Sequence, residues 1–255
     1  MTSGPLVDYH CHLDLYPEHR EAFEACRNQD IEILTVTTTP RAWMANVEMA
    51  RGMPNIRVGL GLHPQLVGTK EADIVLFESL APKAQFIGEV GLDAGPRFYK
   101  TIELQKQIFE RVLKISARTG PKIISVHSVR SVGMILPMIE RHLSASKSQV
   151  VLHWFTGSLA EAKKALSLGC WFSINPQMQH SESAKRFIAE IPLSRMLTES
   201  DGPFTQSSPG VASTPRDVVQ AARLIAHVKK LGTEEVCKKI LLNLGVLEVV
   251  LEKPN

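Results

Sequence analysis

The chain has 255 residues, 44% hydrophobic and 22% charged, with a formal net charge of +3, enough apolar surface for one α/β barrel or two smaller domains. It has no polybasic tail that would mark a nucleic-acid or acidic partner, and no apolar run near the roughly 18 residues a membrane helix needs. No secretory pattern opens the chain, and Cys11, Cys26, Cys170 and Cys237 are far apart with no CxxC, so the expectation is a reduced, soluble, cytoplasmic protein.

Short β-branched runs alternate with longer helical patterns from end to end. The first strand is predicted near 5–10, and it runs into "HCHLD". In an extended chain His10 and His12 share one face, about 7 Å apart at their roots, while Cys11 turns to the other face as a small buried hydrophobe. An isolated His-x-His can equally cap a strand and meet solvent, so the rest of the chain has to decide. A helix near 17–29, a strand at 31–38 and a helix at 41–52 follow. A third strand, 56–63, ends in His63 of "GLGLHP".

After a helix at 71–80, the strand at 85–92 carries Glu89 within "IGEVGLD". A helix at 101–119 leads to a strand at 122–127 that ends in His127. A helix at 131–144 then precedes the strand at 149–155, which carries His153. The last units are a helix at 159–168, a strand at 170–175, a helix at 181–190 and a strand at 195–200 that delivers Asp201. Helices at 214–231 and 233–242 close the chain. Arg130 or Ser131, Ser158 and Ser181 are suitable helix entries, and Gly52, Gly120 and Gly169 suitable exits. The pairs Lys163-Lys164, Lys229-Lys230 and Lys238-Lys239 fall on helices and read as solvated faces.

Eight strand–helix units in this length predict a parallel (β/α)₈ barrel, one domain over 1–255, with an open doubly wound sheet as the alternative. A barrel places its active site at the carboxyl ends of its strands. Five of the nine histidines fall there, at His10, His12, His63, His127 and His153, together with Glu89 and Asp201. His19, His142, His180 and His227 lie in helices or loops and read as surface residues. Burying so many ionisable groups is costly without a cation, and a pair of divalent ions makes it favourable.

The motifs "DYHCHLD", "VGLGLHP", "IGEVGLD", "LHWFTGS", "FSINPQM" and "LTESDGPF", in this order and spacing from about residue 6 to about residue 204, resemble the TatD-type metal-dependent hydrolases of the amidohydrolase barrel superfamily. The opening "HCHLDLYPE", the "TVTTTPRAW" that follows and the short segment after "GLD" are most similar to one branch. That branch is the TatD-like nuclease component of the bacterial Qat anti-phage system. The resemblance implies a metal-dependent DNase, an exonuclease working on single strands or 3′ ends, with the other Qat components as partners.

It also implies a ligand set. His10, His12 and Asp201 would hold one metal, and Glu89 would bridge to a second held by His127 and His153. His63 would line the substrate site, and Glu199 would support the site from behind. Two departures bear on substrate grip. The family often has His-x-Arg where this chain reads His127-Ser128-Val129-Arg130, and aromatic and arginine residues where it reads "AGPRFYK". Arg97 and Arg130 are the candidates for phosphate contacts from these shifted positions.

Two ions a few Å apart can activate a water and clamp an in-line displacement at phosphorus. Asp201 is the expected proton acceptor and Glu89 the expected bridge. Histidine-rich ligation suits zinc or manganese, whereas magnesium favours more oxygen ligands. The stretch 202–214 reads as an irregular loop on the active face, where barrels often bind phosphate. Two rival readings remain at this stage. One is a barrel hydrolase of a cyclic amide, lactone or nucleobase, and the other is a catalytically idle, metal-stabilised binding subunit.

Overall fold

The structure, a computed structural model, describes residues 5–252. Eight parallel strands lie in sequence order: β1 (Leu6–Cys11), β2 (Ile31–Val36), β3 (Ile56–Gly59), β4 (Phe86–Gly91), β5 (Ile123–His127), β6 (Gln149–Leu152), β7 (Trp171–Ile174) and β8 (Met196–Thr198). Parallel ladders run from β1 through β2 to β3 and from β4 in order to β8, with register shifts between Asp8 and Cys11 and between Ile87 and Val90. The seam between β3 and β4 is bridged at Leu60, whose N–H donates to Phe86 O and whose carbonyl accepts from Gly88 N.

The seam between β8 and β1 decides between a barrel and an open sheet. Ser200 N–H donates to Asp8 Oδ1 at 2.8 Å, and Asp201 N–H to His10 O at 2.9 Å. His12 N–H donates to Gly202 O at 2.8 Å, and the Thr198 hydroxyl caps Val7 O. The sheet is therefore closed.

Helices α1 (His19–Cys26), α2 (Pro40–Met49), α3 (Ile74–Leu80), α4 (Ile102–Arg118), α5 (Val132–Leu143), α6 (Leu159–Ser167), α7 (Glu182–Glu190), α8 (Val218–Lys229) and α9 (Thr233–Glu248) follow the strands. The strands are covered on both faces, which is why β1, β5 and β7 are buried throughout and read as near-continuous apolar runs. Ser158 caps α6 in a reciprocal pair with Glu161, and Ser181 caps α7 by accepting from Ala184 N–H. Ser131 precedes α5, but its hydroxyl is spent on Leu92 O at 2.7 Å. Gly52, Gly120 and Gly169 take the left-handed conformations that end helices.

Gly91 is required by packing. At φ 138° its missing Cβ would stand 2.1 Å from His127 O, so only glycine lets the ends of β4 and β5 come together. The stretch 202–214 differs from expectation, because it contains an antiparallel hairpin, β9 (Gln206–Ser208) and β10 (Val211–Ala212). Its turn residue Gly210 has φ 78°, a local signal that the polar sequence obscures. Among the described residues no helix is long and apolar enough to cross a membrane.

Candidate metal centre

Alternation along β1 sends Asp8 and His10 inward, with His12 just beyond the strand, while Tyr9 turns outward to donate to Glu248 of α9. All three inward residues are buried. At the carboxyl end of the barrel His10 and His12 meet Glu89, which is only 2% exposed.

Glu89 is the centre of the site. Its Oε2 lies 3.4 Å from the Nε2 of both His10 and His12. Its Oε1 lies 2.6 Å from His127 Nδ1, 3.0 Å from His153 Nε2 and 3.2 Å from His63 Nε2. Asp201 Oδ1 stands on the Oε2 side, 3.5 Å from His12 Nε2 and 3.8 Å from His10 Nε2. One carboxylate thus presents a separate oxygen to each of two groups of donors. The His10 and His153 rings stack between the groups with centroids 3.8 Å apart.

Three sets of donor atoms lie within 4.8 Å of one another: His10, His12 and Asp201; His10, Glu89 and His153; and His63, Glu89 and His127. The first coincides with the trio expected around one ion. His127 and His153 both reach Glu89 Oε1, yet they fall in different sets, and His63 joins one of them.

The donor set fits a divalent cation. His10 Nε2, which faces both Glu89 and Asp201, is buried without a hydrogen-bond partner. Two ligands at about 2.05 Å from a tetrahedral ion are separated by roughly 3.3 Å, close to the 3.4–3.5 Å gaps from His12 Nε2 to Glu89 and Asp201. Those gaps are long for hydrogen bonds to a carboxylate.

Charge tells the same story. Burial opposes charge on His12, but Asp201 and Glu89 outweigh it and push the imidazole up to about 10. Burial also opposes charge on His153, where Glu199 and Glu89 raise the pKa well above the ordinary range. Burial would raise Glu89, yet the surrounding histidines hold it well below the usual carboxylate range. Without a cation the cluster recruits protons to balance its carboxylates, and a bound metal would displace them.

The surrounding residues orient the donors. Ser125 Oγ lies 2.7 Å from His10 Nδ1. Glu199, fully buried, contacts His153 Nδ1 at 3.4 Å and also accepts from Ser173 and Asn175. His63 Nδ1 accepts from Gln65 N–H at 3.1 Å, so the neutral ring carries its proton on Nε2 and directs that donor at Glu89 Oε1, 3.2 Å away, where both residues line the cleft. Burial keeps that ring neutral by lowering its pKa.

Sequence reasoning left Asp93 unassigned although "GLD" had been singled out. Its Oδ2 lies 3.1 Å from His127 Nε2 and accepts from Gln65 Nε2 at 2.8 Å. Burial opposes ionisation of Asp93, but His127, Gln65 and the Gly95 N–H prevail and bring it down to about 2. The period-two pattern Glu89, Gly91, Asp93 was the signal that could have found it.

The centre opens into a cleft of about 710 Å³ walled by Leu15, Leu66, Arg130, Trp154 and Phe204, among others. The structure brings Arg130 to this wall, at φ 52°, but not Arg97. That side chain is exposed after the turn at Gly95, with its guanidinium 5.4 Å from the centroid of its neighbour Phe98. Of the four histidines read as surface residues, His180 and His227 are exposed, whereas His19 and His142 are half-buried.

A sequence profile of the family described as TatD related DNase matches residues 7–247. The chain belongs to the TatD family. It is therefore an enzyme of a metal-dependent hydrolase family, with the barrel fold of that family. It is 28% identical over 250 residues to human deoxyribonuclease TATDN3, covering 91% of this chain and 90% of that protein. It is 26% identical over 243 residues to an uncharacterized metal-dependent hydrolase, MJ1582, of Methanocaldococcus jannaschii, covering 92% and 94% respectively. The crystal structure of YjjV, a TatD homolog from Escherichia coli, superposes with a TM-score of 0.83 at 21% identity, covering 95% of this chain and 97% of that one.

Proposed function

We propose that this TatD-family enzyme is a phosphodiester hydrolase that acts on DNA and trims strands from their ends in the cytoplasm, the whole chain serving as one catalytic domain. The observation that carries this reading is Glu89. Its two oxygens face separate histidine groups at the floor of an open cleft, with Asp201 on one side. The name of the family and of the human relative supports DNA as substrate.

His10, His12 and Asp201 would hold one divalent ion, with Glu89 bridging to a second held by His127 and His153. Zinc or manganese suits this donor set better than magnesium. When bound, such ions supply an activated water and neutralise charge that develops on the phosphoryl oxygens. Asp201 accepts the water's proton, and the His63 Nε2–H donates to a phosphoryl oxygen. Arg130, the one guanidinium on the cleft wall among the described residues, binds a neighbouring phosphate. Trp154 and the 63%-exposed Phe204 offer faces on which unpaired bases stack. A wall with a single guanidinium suits a thin single-stranded end better than a duplex, whose flanking phosphates call for several cationic side chains.

The finer assignment is to the nuclease component of a Qat-type anti-phage system, with the other Qat components as partners. The opening "HCHLDLYPE" and "TVTTTPRAW" support it. A phage-challenge assay of the complete system carrying Asp201→Asn in this chain tests it, and undiminished protection would remove the assignment. The nuclease reading is tested with 5′- and 3′-end-labelled single- and double-stranded DNA in zinc, manganese and magnesium, beside cyclic amide and lactone substrates. Progressive shortening of single strands is expected. Turnover confined to the amides or lactones would overturn the nuclease reading.

A further inference from the structure

Both nitrogens of the His127 ring are engaged. Nδ1 faces Glu89 Oε1 at 2.6 Å, and Nε2 faces Asp93 Oδ2 at 3.1 Å. A metal takes an imidazole nitrogen only through its free lone pair, so one nitrogen must bind while the other carries the proton. The carboxylate on the far side of the ring decides which.

Asp93 is built to be that carboxylate. It is 3% exposed. Its Oδ1 accepts from Gly95 N–H at 2.8 Å, and its Oδ2 from Gln65 Nε2 at 2.8 Å. A Cβ on residue 95 would stand 2.8 Å from Oδ1, so glycine there admits the close approach. Its backbone is gripped by Gln105 of α4, which accepts from Asp93 N–H at 2.7 Å and donates to Asp93 O at 3.2 Å. Gln65 also lines the cleft, and its main-chain N–H sets the His63 tautomer.

We propose that Asp93, clamped by Gln65, Gly95 and Gln105, is the positioning residue that holds the proton of His127 on Nε2 and so turns the Nδ1 lone pair toward Glu89 and the metal. Gln65 then ties both His63 and His127 to one residue of the cleft wall. The inference rests on the reading of His127 as a metal ligand. Outer partners of this kind typically contribute about 10–100-fold in metal affinity.

The test uses chelator-stripped protein titrated with Zn²⁺ against a chromogenic competitor, together with ¹⁵N-histidine NMR of the zinc-loaded protein. Asp93→Ala should weaken zinc binding by about 10–100-fold. Asp93→Asn should recover part of the loss, because its amide oxygen can still accept from Nε2–H. The wild-type spectrum should show His127 protonated on Nε2, with that proton protected from solvent exchange by its hydrogen bond to Asp93, a protection lost in Asp93→Ala and kept in Asp93→Asn. A wild-type ring protonated on Nδ1 would overturn the inference even if the alanine variant does not fold. His127→Ala separates the two readings. Unchanged zinc binding in it removes His127 from the ligand set and overturns both, whereas a loss there with none in Asp93→Ala overturns only the positioning role.

Discussion

Asp201→Asn is the most informative single substitution. The residue is 7% exposed, with Oδ1 3.5 Å from His12 Nε2 and 3.8 Å from His10 Nε2. Asparagine keeps the shape and one coordinating oxygen but loses the negative charge and nearly all of the basicity. General-base assistance is typically worth about 10²–10⁴-fold, or roughly 2.7–5.4 kcal/mol at about 1.36 kcal/mol per decade. DNA hydrolysis should therefore fall at least about 100-fold.

The fold should tolerate the change. Asp201 sits at φ 53°, a conformation that asparagine shares with aspartate more readily than other side chains do. The hydrogen bonds from Asp201 N–H to His10 O and from Phe204 N–H to Asp201 O belong to the main chain. Asp14→Asn is the control. Asp14 is outside the cleft wall and accepts from Asn46 Nδ2 at 3.2 Å, so the loss should be milder. The assay is single-turnover cleavage of end-labelled DNA beside thermal melting of each variant. If Asp201→Asn melts far below wild type while its folded fraction cleaves DNA at the wild-type rate, Asp201 is scaffold and the proton-acceptor argument fails.

Elemental analysis should find transition metal in the wild-type protein and markedly less in the His10→Ala, His12→Ala double variant; equal content would remove the β1 pair from the site. DNA affinity should fall as salt rises, but with a shallow slope, because Arg130 is the one guanidinium on the cleft wall among the described residues; salt-independent affinity would point to a small neutral substrate. In chelator-treated protein, Asp93→Asn should lower stability most above about pH 4. The native Asp93 titrates at about 2 instead of its ordinary 3.8, so its stabilisation is complete above the unfolded value and disappears as pH falls toward 2. Urea midpoints of wild type and variant should converge over that range, and a gap independent of pH would refute the linkage.

The sequence by itself determined the periodic features. Eight strand–helix units, the helix entries at Ser158 and Ser181 and the exits at Gly52, Gly120 and Gly169 follow from side-chain alternation and local backbone preference, and each reappears in the structure. The crowding of His10, His12, His63, Glu89, His127, His153 and Asp201 at one end was legible too. In a parallel barrel the end of every strand faces the same way, so position along the chain translates directly into position in space.

What sequence could not decide depends on approach between distant segments. Closure of the sheet rests on Val7, Asp8, His10 and His12 meeting residues 198–202, more than 180 positions away. The sharing of Glu89 among five imidazoles, with a different oxygen to each group, is set by strand tilt and side-chain rotation, which no residue pattern records. Asp93 looked like the end of a motif until Gln65 and His127 converged on it. Arg97 and Arg130 were indistinguishable as phosphate candidates, and only the path of the loop after Gly95 leaves one exposed while the other lines the cleft. Local propensity acts over a few residues, whereas a polar site in a barrel is assembled from hydrogen bonds that span most of the chain, and those form only once the core has brought the strand ends together.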